Sequence, residues 1–281
     1  MRSFLLLILS TAIASAQTTG TGATINTSIP ISIPVTEANT TVVEPQNILP
    51  SETIVLTVGQ TKIQALIYKG KSLGLLLFNM HDDETTSVEA AKTFIMENGG
   101  TLVQLKHFGQ RLITFELNKR SNKFDPNRIF TEVGISKTLE KYGNSPQGAA
   151  NEVDRFAKEL IARFFSNPGT IVAMHNSTNN HFSVLSYQKG GEYEADGARV
   201  FVNPGKDIDD FFYVIEEKLF DRLSSMGYNV VLQNNATVTD DGSLSVFCGQ
   251  KQIRYINVEA ERGHKAEQLR MLRALLEALK N

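Results

Sequence analysis

The chain has 281 residues with 28 basic and 30 acidic side chains, a net charge of −2, and shows no basic stripe, so nothing in it reads as a nucleic-acid footprint. Its single cysteine, Cys248, rules out an intramolecular disulfide framework. After the first residues, no stretch is long and apolar enough to span a bilayer.

Residues 1–16 carry one positive charge at Arg2, a short apolar core and an Ala14-Ser15-Ala16 ending. That pattern reads as an export signal, placing the mature protein in a periplasm or the medium. Residues 17–50 are rich in Thr, Pro, Asn and Ser without periodicity and read as a flexible tail, leaving 51–281 as one folded domain. Segments 53–58 and 62–67 predict a hairpin about Gly59-Gln60, and 73–80 a buried strand. A helix is expected over 86–98, stopped by Gly99-Gly100. Strands at 101–105 and 112–117, a helix at 148–165 and a short buried strand at 170–174 follow. The pattern then predicts a helix over 207–226 with Asp207, Asp209 and Asp210 in its first turn, and strands at 229–232, 244–248 and 253–258. An amphipathic helix over 265–279 closes the chain. Strands alternating with helices imply an α/β fold: a mixed sheet of the eight-stranded type with helices on both faces.

The residues able to carry chemistry sit where those strands end. His81-Asp-Asp-Glu84 follows the strand at 73–80, and His175 follows the strand at 170–174. In open α/β sheets the ligand crevice lies at the carboxyl ends of the strands, so these side chains can converge. Two imidazoles and a carboxylate are ligand types of a catalytic metal that keeps an open position; mixed ligands of this kind suit zinc, though another divalent ion is compatible. A third strand end delivers Glu259, a carboxylate suited to general base and acid work, with Glu261 as the alternative. Asn127 and Arg128 on a Pro-flanked turn offer an amide and a guanidinium fork that can grip a carboxylate; the plainer account pairs Arg128 with Asp125. His107 and His264 are expected at the surface, His181 at a strand start near the cleft, and Cys248 buried within a strand.

Together these motifs resemble the zinc carboxypeptidase superfamily, and more closely its aspartoacylase and succinylglutamate desuccinylase branch. His81-Asp-Asp-Glu84 is similar to that branch's His-Gly-x-Glu, and Asp125-Pro-Asn-Arg-Ile-Phe130 to its Asp-Leu-Asn-Arg-x-Phe. His175-Asn-Ser-Thr178 is similar to His-Asn-Thr-Thr, and Val258-Glu-Ala260 to Val-Glu-x-Gly. The order along the chain is also the family's. The resemblance implies one zinc ion held by His81, Glu84 and His175, Glu259 as general base and acid, and Asn127 with Arg128 on a substrate carboxylate. It further implies Arg120 as the residue polarising the scissile carbonyl, with Arg111 as its rival. The expected activity is hydrolysis of an amide near a carboxylate, in a peptide, an N-acyl amino acid or a cell-wall stem peptide. The alternative is a carboxylate- or peptide-binding module on the same fold without turnover. Two departures stand out: Asp82 replaces the family's glycine and adds a charge beside the metal ligands, and Glu261-Arg262-Gly263 replaces its Gly-Pro.

Overall fold

The computed structural model describes residues 48–144, 148–178 and 182–280. The expected export signal, most of the expected tail and His181 lie outside the described residues. The chain runs through β1 (Glu52–Val58), β2 (Thr61–Lys69), β3 (Leu75–Asn79), α1 (Thr85–Asn98), β4 (Thr101–Lys106), β5 (Ile113–Leu117) and β6 (Arg120–Phe124). Next come α2 (Glu132–Tyr142), α3 (Ala149–Leu160), β7 (Thr170–Ser177), β8 (Gly197–Phe201), β9 (Phe211–Val214) and α4 (Glu217–Ser225). Last are β10 (Asn229–Gln233), α5 (Leu244–Lys251), β11 (Tyr255–Glu261) and α6 (Lys265–Leu279). Among the described residues no helix is long and apolar enough to cross a membrane.

Nine strands form one mixed sheet in the order β1-β2-β4-β3-β7-β11-β9-β10-β8, while β5 and β6 make a separate hairpin. The central β4, β3, β7 and β11 are parallel, so their carboxyl ends share one edge. Strands β3 and β7 are buried along their whole lengths, which explains their uninterrupted apolar runs: both faces are covered. One core layer packs the sheet against α2, α3 and α5 through Ile135, Phe156 and Leu244. The other packs it against α1, α4 and α6 through Phe94, Phe220 and Met271. Each fully buried Phe or Leu side chain contributes roughly 1.5–3 kcal/mol of transfer free energy.

Three expectations need correction. The segment expected as one helix over 207–226 is a turn, then β9, then α4. Asp207 closes that turn by accepting from the Asp209 amide at 2.9 Å, instead of capping a helix. The run Phe211–Val214 is buried between β11 and β10, where aromatic and β-branched side chains fit. Residues 244–248, expected as a strand, are helical, since Ser243 caps the Val246 amide and starts a turn. Cys248 is buried as expected, and burial pushes its thiol up to about 12. The segment after His181 forms a single-turn helix over Val184–Tyr187, not a strand. The sheet also gains β8 and β9, neither of which the alternation revealed.

Candidate metal centre and active-site cleft

His81 leaves the end of β3 and Glu84 lies on the turn that enters α1. His175 sits in β7, directly opposite Glu259 of β11 in the parallel ladder. A buried polar lattice holds these strand ends in place. Asn79 donates to Ser87, Ser87 donates from its amide to Asn176, and Gln268 of α6 donates to the His175 carbonyl at 2.8 Å. Such groups cost free energy unless satisfied, so the lattice specifies one arrangement of the edge.

His81, Glu84 and His175 converge there, all buried, with their ligand atoms within 4.8 Å of one another. His81 Nδ1 lies 2.9 Å from Glu84 Oε1 and 3.2 Å from His175 Nδ1, and His175 Nδ1 lies 3.0 Å from Glu84 Oε2. On its other side His81 Nε2 meets Asp125 Oδ1 at 2.8 Å, a contact that assigns the Nε2 proton and leaves Nδ1 as a lone pair in the neutral ring. Two imidazole nitrogens and a carboxylate thus face one point, an arrangement suited to a bound cation. In the metal-free site a proton on His81 Nδ1 meets the same carboxylate. Burial alone would lower the His81 pKa, but the charges of Glu84 and Asp125 override that and raise it to about 9. His175 goes the other way, because burial outweighs the pull of Glu84. Glu84 and Asp125 are held well below the usual carboxylate range, against the cost of burial, by the imidazoles beside them. The donor set fits a tetrahedral zinc site with two nitrogens, one carboxylate and one open position, backed by a carboxylate behind a ligating histidine.

Glu259 is buried and faces the same cleft, with Oε2 accepting from Asn257 at 3.2 Å. Burial, with the Glu84 charge adding to it, raises its pKa to about 8. Glu261 does not join it: its carboxylate turns toward His264 and Asp207. Asn127 reaches toward His175 Nε2 at 3.5 Å while its Oδ1 accepts from the Leu244 amide. Arg128 lines the cleft and pairs with Asp241 at 3.3 Å, not with Asp125. Gly242 brings that loop in: its Cα packs on Gly134, where a Cβ would fall at 2.2 Å, and its φ of +78° favours glycine.

The two arginines weighed for the carbonyl separate cleanly. Arg120 is exposed on the β5–β6 hairpin and is not brought to the cluster. Arg111 enters the cleft and donates to Glu84 Oε1 at 2.7 Å. The loop carrying it is tied by Asp82, whose buried Oδ2 accepts from the His107 and Gly109 amides at 2.7 Å each and whose Oδ1 pairs with Lys106. The charge expected beside the metal ligands is therefore occupied elsewhere. His107, expected at the surface, is buried and contacts the Met80 carbonyl at 2.9 Å. His264 is half-buried and paired with Asp210 at 3.0 Å. The sequence reading did not single out Asp125 as the partner of His81, though it lay inside the quoted motif. Nor did it single out Gln268, Asp196, Asp241 or the tyrosines of the cleft wall, for which no local pattern exists.

The cleft has a volume of about 430 Å³. No protein-family model matches the sequence, and no curated protein does. Solved structures similar to the chain include a succinylglutamate desuccinylase/aspartoacylase from Rhodobacter sphaeroides, with 11% identity and a TM-score of 0.42 over 80% of this chain and 63% of that one. Murein-tripeptide amidase MpaA from Escherichia coli O157 is similar at 12% identity and a TM-score of 0.43, over 84% of this chain and 94% of that one. The ectoine utilization protein EutE (DoeB) from Ruegeria pomeroyi is similar at 11% and 0.43, over 80% and 65%. The chain thus spans less than two thirds of the Rhodobacter and Ruegeria proteins.

Proposed function

We propose that this protein is a zinc-dependent hydrolase that cleaves an amide bond near a substrate carboxylate. The observation that carries the reading is the convergence of His81, Glu84 and His175 on one point, with Asp125 behind His81 and Glu259 opening on the same cleft. Zinc in such a ligand set supplies Lewis acidity, activating water near neutral pH and polarising a carbonyl.

The chain's own residues supply the rest. Glu259 accepts a proton from the attacking water and returns it to the leaving nitrogen as the C–N bond breaks, so atoms and charge balance. Burial and the Glu84 charge hold the carboxyl protonated up to about 8 in the metal-free site, and a divalent cation beside Glu84 would offset that charge and favour the carboxylate that accepts the water's proton. Arg111, already at the cluster, takes the role of steadying the carbonyl oxygen as charge develops on it. Arg128 and Asn127, which line the same cleft, receive the carboxylate of the residue on the amine side. With residues 1–16 as an export signal, the substrates are external peptides, N-acyl amino acids or wall fragments.

The test is elemental analysis of purified protein beside His175→Ala, together with hydrolysis of a panel of acyl-amino acids and stem peptides. About one zinc per chain in the wild type and none in the variant is expected, with turnover lost in parallel. Zinc bound without turnover of any amide would leave a binding module. No zinc after reconstitution would overturn the proposal.

A further inference from the structure

The charges lining the cleft are unevenly compensated. Arg111 is paired with Glu84 at 2.7 Å, Arg128 with Asp241 at 3.3 Å, and Arg262 with Asp83 at 3.2 Å. Asp196 also lines the cleft, yet among the described residues no basic side chain pairs with it. Its one side-chain bond is at Oδ1, which accepts from the Thr239 amide at 2.8 Å. Tyr187, Tyr193 and Tyr213 line the same cavity. Their rings form one wall: Tyr187 lies 5.6 Å from Tyr193 and 5.1 Å from Tyr213, centroid to centroid. Asp196 follows Tyr193 through a single helical turn, its amide donating to the Tyr193 carbonyl at 3.0 Å, so the carboxylate and the ring wall are built from one segment.

A carboxylate without a cation in a cleft that is also lined by tyrosine rings is the chemistry that takes an ammonium or guanidinium group. An acidic side chain placed there would face Asp196 with no spare arginine to offset it. We propose that this end of the cleft is a cation-accepting subsite formed by Asp196 and the Tyr187–Tyr193–Tyr213 wall, and that it selects substrates whose amine-side residue is a basic or diamino amino acid. The inference rests on the hydrolase reading above, because Arg128 must hold that residue's carboxylate for its side chain to reach Asp196.

Calorimetric titration of the full chain with the free amino acids L-lysine, L-norleucine and L-glutamate tests it without turnover. Lysine and norleucine share a chain length and differ in the terminal ammonium. A partly exposed ion pair and a cation–π contact together predict that lysine binds ~10-fold tighter than norleucine, with glutamate weakest. Asp196→Asn keeps an oxygen for the Thr239 amide and should abolish the lysine advantage while leaving norleucine binding within about twofold. Asp196→Lys should invert the order in favour of glutamate. Norleucine matching lysine in the wild type, an advantage that survives Asp196→Asn, or no binding of any of the three would each overturn the subsite. Zinc content measured on the same samples separates the failures: lysine selectivity without zinc keeps the subsite and removes the hydrolase, and zinc with turnover but no selectivity does the reverse.

Discussion

Asp125→Asn tests the metal centre most sharply, because the substitution is nearly isosteric and its effect changes with pH. Asp125 does two things: its Oδ1 fixes His81 through Nε2 at 2.8 Å and accepts from the Asn127 amide at 2.9 Å. An asparagine oxygen retains the second contact, so the turn should survive at a cost of about 1 kcal/mol or less. What is lost is the charge that makes His81 a better ligand. Removing such a partner typically weakens metal affinity 10–100-fold, about 1.4–2.8 kcal/mol. Proton competition acts in the opposite direction. In the metal-free protein His81 titrates at about 9, so near pH 7 the metal must displace a proton, which weakens wild-type binding roughly a hundredfold. Asp125→Asn removes one of the charges that raise that pKa, and part of this penalty disappears with it. The affinity gap between wild type and variant should therefore be small near pH 7 and open to the full 10–100-fold by about pH 9. Competition against a chromophoric zinc chelator across that range measures it, with circular dichroism confirming the fold. A gap that stays constant with pH, or a variant binding as tightly as wild type at pH 9, would refute the arrangement of Asp125 behind His81.

Other outcomes follow from the same geometry. Arg111→Ala should lower turnover by 10²–10³ while zinc stays bound, whereas Arg120→Ala should leave kcat within about twofold; steady-state kinetics on both variants decides which arginine meets the carbonyl. Glu259 has a folded pKa raised to about 8 from an ordinary 4.5, so its contribution to stability is full below about 4.5 and is lost as pH rises through about 8. Urea midpoints of the metal-free protein between those limits should fall with pH, and Glu259→Gln should flatten the part of the fall that precedes the titration of His81. An equal slope in the variant would mean that Glu259 is not buried as described. Asp82→Gly removes the acceptor for the His107 and Gly109 amides and should release the Arg111 loop. Faster amide exchange over residues 107–111 with unchanged zinc content is the expected signature.

Much of the architecture was legible because local patterns suffice for it. The apolar runs of β3 and β7, each ending in a histidine, announce buried parallel strands and put His81 and His175 at one edge. Helix α1 was read from its spacing and from the glycines that stop it. Patterns failed where a short run suits either state. Leu244–Cys248 is helical only because Ser243 caps it and β11 packs beneath it, and Phe211–Val214 is a strand only because two strands lie ready on either side.

The sequence by itself thus determined which strand ends carry His81, His175 and Glu259, since a side chain that follows a buried strand has its place set by that strand. The family resemblance offered two arginines, Arg120 and Arg111, for the carbonyl. Only the tertiary structure brings Arg111 to the cluster and leaves Arg120 on the hairpin, because the path of the loop holding Arg111 is set by Asp82, more than 20 residues earlier in the chain. It likewise paired Asp125 with His81 across 44 positions and gathered Asp196 and three tyrosines into one wall. Contacts at such separations leave no periodic trace, as each depends on where other elements have already packed.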